Sequence, residues 1–114
     1  MVSNEDYTLI QRYIILNTVR KALEMDYTKI EQLATKFKPF YLAQQTLILD
    51  QVSKDLMPIK KSMQKKHIKI GPLRVVGLFS EYQFHINGYE QTNKILNVHL
   101  RNQAFDYIKT FYTK

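Results

Sequence analysis

The chain has 114 residues, 45% apolar and 24% charged, with 8 Tyr, 6 Phe, 3 Gly, 3 Pro, no Cys and a formal charge of +7. That length and composition fit one domain with its own core, and they exclude a disordered, collagen-like or linker-dominated chain. The absence of Cys excludes a disulfide scaffold, a thiolate zinc site and a cysteine nucleophile.

The N-terminus carries Glu5 and Asp6 where a secretory signal needs a basic segment followed by an apolar one. Nowhere do 18 apolar residues run together, so no transmembrane segment is expected and the chain reads as cytoplasmic.

Ser3, with Asp6 three residues on, opens a first helix. Leu9, Tyr13 and Leu16 line one face, and Ile15, Val19 and Ala22 line the next, so this helix is apolar round more than half its circumference and belongs at the centre of the core. Its expected end is near Met25. Thr28 and Glu31 form a second capping box, followed by Ile30, Leu33, Ala34 and Phe37 at helical spacing, which predicts a short second helix over Lys29–Phe37. Pro39 then sets the first turn of a third.

In that third helix Leu42, Gln45, Leu49, Val52, Leu56, Ile59 and Met63 make a heptad seam, flanked by a second stripe of Phe40, Ala43 and Leu47. The seam predicts packing on the first helix, with a homodimer as the second use. Pro58 predicts a kink or a restart. Continued to Lys66, the helix is about 42 Å long.

After Lys66 the period changes to two. Ile68 and Ile70 alternate with Lys69, Gly71-Pro72 breaks the run, and Tyr82, Phe84 and Ile86 alternate with polar residues, predicting an antiparallel hairpin that ends at Asn87-Gly88. The tail fits two periods. Tyr89, Asn93, Leu96, Leu100, Ala104, Tyr107 and Phe111 predict a helix over about 90–112; Leu96, Val98 and Leu100 fit a third strand over 94–100, with Asn102 capping a shorter helix. The expected fold is therefore α+β in one domain over 1–114. Three N-terminal helices occupy about 3–66, a hairpin (or three-stranded meander) about 67–87, and a C-terminal helix follows.

Charge is concentrated. The segment Met1–Thr28 has a net charge of −1, Val75–Lys114 has +1, and the remaining +7 lies within Lys29–Arg74. Lys54, Lys60, Lys61, Lys65, Lys66, Lys69 and Arg74 face Asp55 alone. Such a cluster attracts polyanions, whether nucleic acid, an acidic protein or an anionic membrane surface; the plainer reading is a solvated, solubilising face. Lys outnumbers Arg by 13 to 4, which suits contact with phosphate as point charges and not the bidentate reading of guanine.

No nucleotide-binding glycine loop, nucleophile elbow or HExxH is present, and His67, His85 and His99 have no metal-ligand spacing. No catalytic residue, metal or cofactor is expected. The order of three helices, a hairpin and a closing helix resembles a winged helix–turn–helix over Thr28–Asn87. That resemblance implies a recognition helix from Pro39, a wing over Leu73–Ile86 and a dimerising tail. The sequence thus points to a small, basic, non-enzymatic regulatory protein contacting nucleic acid through the Lys cluster. The alternative is an interaction module that docks an acidic protein through the Leu42–Met63 seam and the same cluster.

Overall fold

The computed structural model describes residues 2–112; Met1, Thr113 and Lys114 lie outside the described residues. Two long helices, α1 (Asn4–Glu31) and α2 (Lys38–Lys65), precede four strands, β1 (Ile68–Ile70), β2 (Arg74–Val76), β3 (Phe79–Ile86) and β4 (Tyr89–Leu96), and a closing helix, α3 (Asn97–Lys109).

The N-terminal capping box forms: Asp6 N–H donates to Ser3 Oγ at 3.1 Å, and Ser3 N–H donates to the Asp6 carboxylate at 3.4 Å. The expected second helix does not exist, so there are two N-terminal helices and not three. α1 runs through its predicted end at Met25 because no Gly or Pro interrupts Asp26–Glu31. Thr28, read as a cap, instead donates its hydroxyl to the Glu24 carbonyl one turn back at 3.2 Å. Leu33 and Phe37, at helical spacing, lie exposed in the connection to α2.

α1 is buried on two opposite sides. Tyr7 meets Phe84 of the sheet edge-on at 6.1 Å and accepts a hydrogen bond from Gln91 at 2.9 Å, while Ile10 and Ile14 are buried on that side. Leu16, Val19 and Leu23 are buried half a helical turn away. α1 packs against both α2 and α3. The central position expected from its wide apolar surface is the observed one.

The α2 seam is buried along its C-terminal half, at Val52, Leu56, Ile59 and Met63. Towards the N-terminus burial passes from Leu49, which is half-buried, to Ile48. An α-helix of 3.6 residues per turn drifts about 20° per heptad against a 3.5-residue seam, which moves the contact line by one residue over this length. The second stripe, Phe40, Ala43 and Leu47, is exposed. Pro58 lies within α2, so the helix does not restart there. α2 ends with His67 in the left-handed region at φ 57°.

β1 and β2 lie end to end along one edge of β3, and β4 pairs with the other edge, all antiparallel. Pro72 breaks the β1–β2 edge because it has no amide hydrogen to donate. The β2–β3 turn is Gly77-Leu78, with positive φ at Gly77. Ser80 is a buried residue of β3. Tyr82, Phe84 and Ile86 form the inner face with Ile68; Gln83, His85 and Lys69 face outward.

The tail corrects a second expectation. Residues 89–96 form a strand and not a helix, registered from Ile86↔Tyr89 to Phe79↔Leu96 across a two-residue Asn87-Gly88 turn. Both turn residues have positive φ, 50° and 86°, as a type I′ hairpin turn requires. Pairing with all of β3 satisfies the backbone of this segment, which an isolated helix end would leave to water. The alternative of a strand over 94–100 holds only for 94–96, because Asn97 starts α3. Asn97 N–H donates to the Leu78 carbonyl at 2.8 Å, its amide donates to Gly77 O at 3.2 Å, and its Oδ1 accepts from the Ser80 hydroxyl. From Leu100 onward the predicted stripe is real: Leu100, Ala104, Tyr107 and Phe111 pack on the core.

The principal extents are 54 × 32 × 25 Å, and the radius of gyration of 16.0 Å exceeds the about 13 Å of a compact chain this long. The long axis belongs to the helical hairpin, whose connecting end exposes Met25, Leu33, Phe37, Phe40 and Leu47.

Leu56, 1% exposed at the centre of the α1–α2 contact, is expected to cost about 2–5 kcal/mol on replacement by Ala, and half-buried Leu49 about 1 kcal/mol, by denaturant unfolding. The Lys66 ammonium, 3.0 Å from the Asp6 carboxylate, holds that carboxyl below its ordinary range. A depressed native pKa adds stability above the unfolded value, which is lost as pH falls through the native one. Asp6→Asn is therefore expected to lower the melting temperature at pH 7, with the difference from wild type vanishing in strong acid.

Candidate functional site

The seven basic residues singled out by charge are all exposed, but they occupy four settings. Lys54, Lys61 and Lys65 follow one another at spacings of seven and four along α2, which puts them on one ridge opposite Val52, Leu56, Ile59 and Met63. Burial of the apolar line against α1 turns this ridge outward. Lys60 stands on the flank, where it lines a shallow groove of about 250 Å³ with Lys61, Gln64 and Arg20 of α1.

Lys66 is set apart by its ion pair with Asp6. Lys69 and Arg74 leave the outer face of the sheet, registered against His85 and Glu81. Lys94, across β3 from Arg74, places its ammonium 4.4 Å from the Phe79 ring centre. The structure therefore joins Lys54, Lys60, Lys61 and Lys65 on α2 and separates them from Lys69 and Arg74.

Electrostatics favour the α2 group. Asp55, the sole acid between Lys54 and Arg74, is drawn to the opposite flank, where it accepts hydrogen bonds from the Tyr107 hydroxyl at 2.5 Å and from Gln51 at 2.9 Å. Burial first, and this bond second, push the Tyr107 phenol well above its ordinary range, so it stays a neutral donor. Among the described residues Lys54, Lys60, Lys61 and Lys65 have no ion pair.

Arg20 is the site residue that charge counting misses, because it belongs to a segment of net negative charge. Its guanidinium donates to Asn17 at 2.6 Å and lies 3.9 Å from Glu24, which positions it beside the α2 lysines. The signal is the antiparallel packing of α1 on α2, which brings residue 20 to the level of residues 53–64.

His85 pairs with Glu90 across the β3–β4 ladder at 3.5 Å, whereas His99 lies on α3. Among the described residues no three His, Asp or Glu side chains stand together as a metal-binding group. The helix–turn–helix does not form, because a single continuous helix replaces its first two members and α2 follows through a loop. No described helix is long and apolar enough to cross a membrane.

Comparison with known proteins gives a family and no solved fold. The YhjD protein family matches residues 1–114. The chain is 30% identical over 111 residues to a Bacillus subtilis (strain 168) protein named uncharacterized protein YhjD, covering 97% of this chain and 92% of the relative. No solved structure matches the chain. By the extent of both matches, the chain belongs to the YhjD protein family.

Proposed function

We propose that this chain is a small, non-enzymatic, cytoplasmic regulatory protein that contacts nucleic acid through the basic ridge of α2. The observation that carries the reading is the exposed set Lys54, Lys60, Lys61 and Lys65, which has no ion pair among the described residues. Lys ammonium groups bind phosphate as point charges, so the contact is to the backbone and tolerant of sequence. Arg20, which Glu24 partly offsets, stands across the groove on α1.

A second reading rests on a different surface. Phe37 and Phe40, with ring centres 6.4 Å apart, and Leu47 are exposed at the end of the helical hairpin. An exposed apolar cluster of this kind marks a docking surface for an acidic protein or a second copy of the chain. The seam itself is available to such a partner only at its Leu42–Leu49 end, because α1 covers the remainder.

Fluorescence anisotropy with a mixed-sequence labelled DNA duplex tests the first reading. Four phosphate contacts predict that log K falls with log salt at a slope of about −3.6. Replacing Lys54, Lys60, Lys61 and Lys65 together by Gln is expected to abolish binding without loss of the thermal transition. Unchanged affinity of this variant, or no binding by the wild type at low salt, contradicts the reading.

A further inference from the structure

The two edges of the sheet are built differently. On one, β1 and β2 have three residues each and Pro72 interrupts them, which leaves little backbone for another strand to pair with. On the other, β4 runs for eight residues without Gly or Pro, and among the described residues it pairs with β3 alone.

The β3–β4 register fixes which backbone groups of β4 are already used. Asn97 N–H donates to the Leu78 carbonyl at 2.8 Å, and the tight Asn87-Gly88 turn closes on the Ile86↔Tyr89 pair. Hydrogen-bonded pairs alternate with non-hydrogen-bonded ones along an antiparallel ladder, so Tyr89, Gln91, Asn93 and Ile95 aim their N–H and C=O groups at β3. Glu90, Thr92 and Lys94 aim theirs outward along the free edge. Their side chains stand on the outer face of the sheet, where Glu90 meets His85 at 3.5 Å and Lys94 lies 4.4 Å from the Phe79 ring centre.

The order Glu90-Gln91-Thr92-Asn93-Lys94 is complementary to its own reverse. Two antiparallel copies related by a two-fold axis at Thr92 put Glu90 opposite Lys94 of the other copy, twice, and Thr92 opposite Thr92. The same register sets Tyr89 opposite Ile95, an aromatic–β-branched pair. The outward groups of Glu90, Thr92 and Lys94 then face one another across the axis and form about six backbone hydrogen bonds. Charge disfavours the neighbouring registers. An axis at Glu90 opposes glutamate to glutamate, an axis at Lys94 opposes lysine to lysine, and an axis at Gln91 or Asn93 leaves both charges unmatched. An edge lysine ordinarily discourages pairing; here it is answered in one register only, so it selects the partner.

We infer that β4 is a dimerisation edge, to which a second copy of this chain adds its own β4 antiparallel about Thr92, joining the two sheets into one. The edge shares no residue with the α2 ridge or with the exposed end of the helical hairpin, so it stands apart from both readings above.

Sedimentation velocity of the full chain at physiological salt, from micromolar concentration up to about 1 mM, tests it. The wild type is expected to self-associate to a dimer. Glu90→Lys and Lys94→Glu each set like charges opposite one another twice across the axis, and each alone is expected to weaken the dimer at least about tenfold. Lys94→Glu also lowers the net positive charge, so its loss of association is not an effect of overall repulsion. An equimolar mixture of the two variants is expected to recover the wild-type affinity within about threefold, because the two lysines of one face the two glutamates of the other. Thr92→Pro removes an amide hydrogen that β3 does not use and is expected to abolish the dimer; should it fail to fold, the mixing experiment decides. Self-pairing of β4 is overturned if the wild type stays monomeric throughout, if either charge variant dimerises as tightly as wild type, or if their mixture does not associate. A dimer made through the exposed hairpin end gives the second of these results.

Discussion

The structure depends on one helix having two apolar faces to cover. α1 carries Ile10 and Ile14 towards the sheet and Leu16, Val19 and Leu23 on its opposite side, and no single layer of protein covers both. The remaining elements are arranged around that need. α2 takes one side, the β1–β4 sheet another, and α3 closes the gap between them through Leu100, Ala104 and Tyr107. Burial of a Val or Leu side chain is worth about 1.5–3 kcal/mol, so the α1 residues together outweigh any local preference in the elements they recruit.

That arrangement sets the chemistry of the surface. Once Val52, Leu56, Ile59 and Met63 are committed to α1, the lysines between them in sequence have no direction left but outward. Asp55, on the flank nearest α3, accepts a hydrogen bond from Tyr107 and is held away from the ridge, which keeps one acid, Asp50, a turn before Lys54. Lys66, at the turn where α2 returns past the start of α1, is met by Asp6, so the same packing that frees four lysines neutralises a fifth. The sheet is covered on one face only, as antiparallel sheets allow, and its outer face carries Lys69, His85 and Glu90.

Local chemistry was readable where one short-range interaction decides the outcome. Ser3 and Asp6 close a capping box, and Tyr82, Phe84 and Ile86 alternate into the core, because both depend on neighbours within a few residues. Thr28 misled because a threonine hydroxyl serves a cap and the preceding turn equally well, and the choice falls to whether the helix already exists. Residues 89–96 misled because Tyr89, Asn93 and Leu96 fall at helical spacing, while the alternating set Leu96, Val98 and Leu100 lies almost wholly beyond the strand. The Asn87-Gly88 pair was the discriminating signal, since a type I′ turn between alternating segments specifies a partner strand and not only an end. The basic cluster was legible as charge but not as geometry. Its division between α2 and the sheet, and the entry of Arg20, follow from packing that no linear count contains.

α1 is the common wall against which α2, α3 and the inner face of the sheet pack, and native-state hydrogen exchange is its test. Amides from Ile10 to Leu23 are expected to exchange only through global unfolding, with the same denaturant dependence as full denaturation. Amides of the connecting end, around Phe40 and Leu47, should exchange through local opening. Exchange of the α1 centre through a local or sub-global opening, while β3 stays protected, would contradict it.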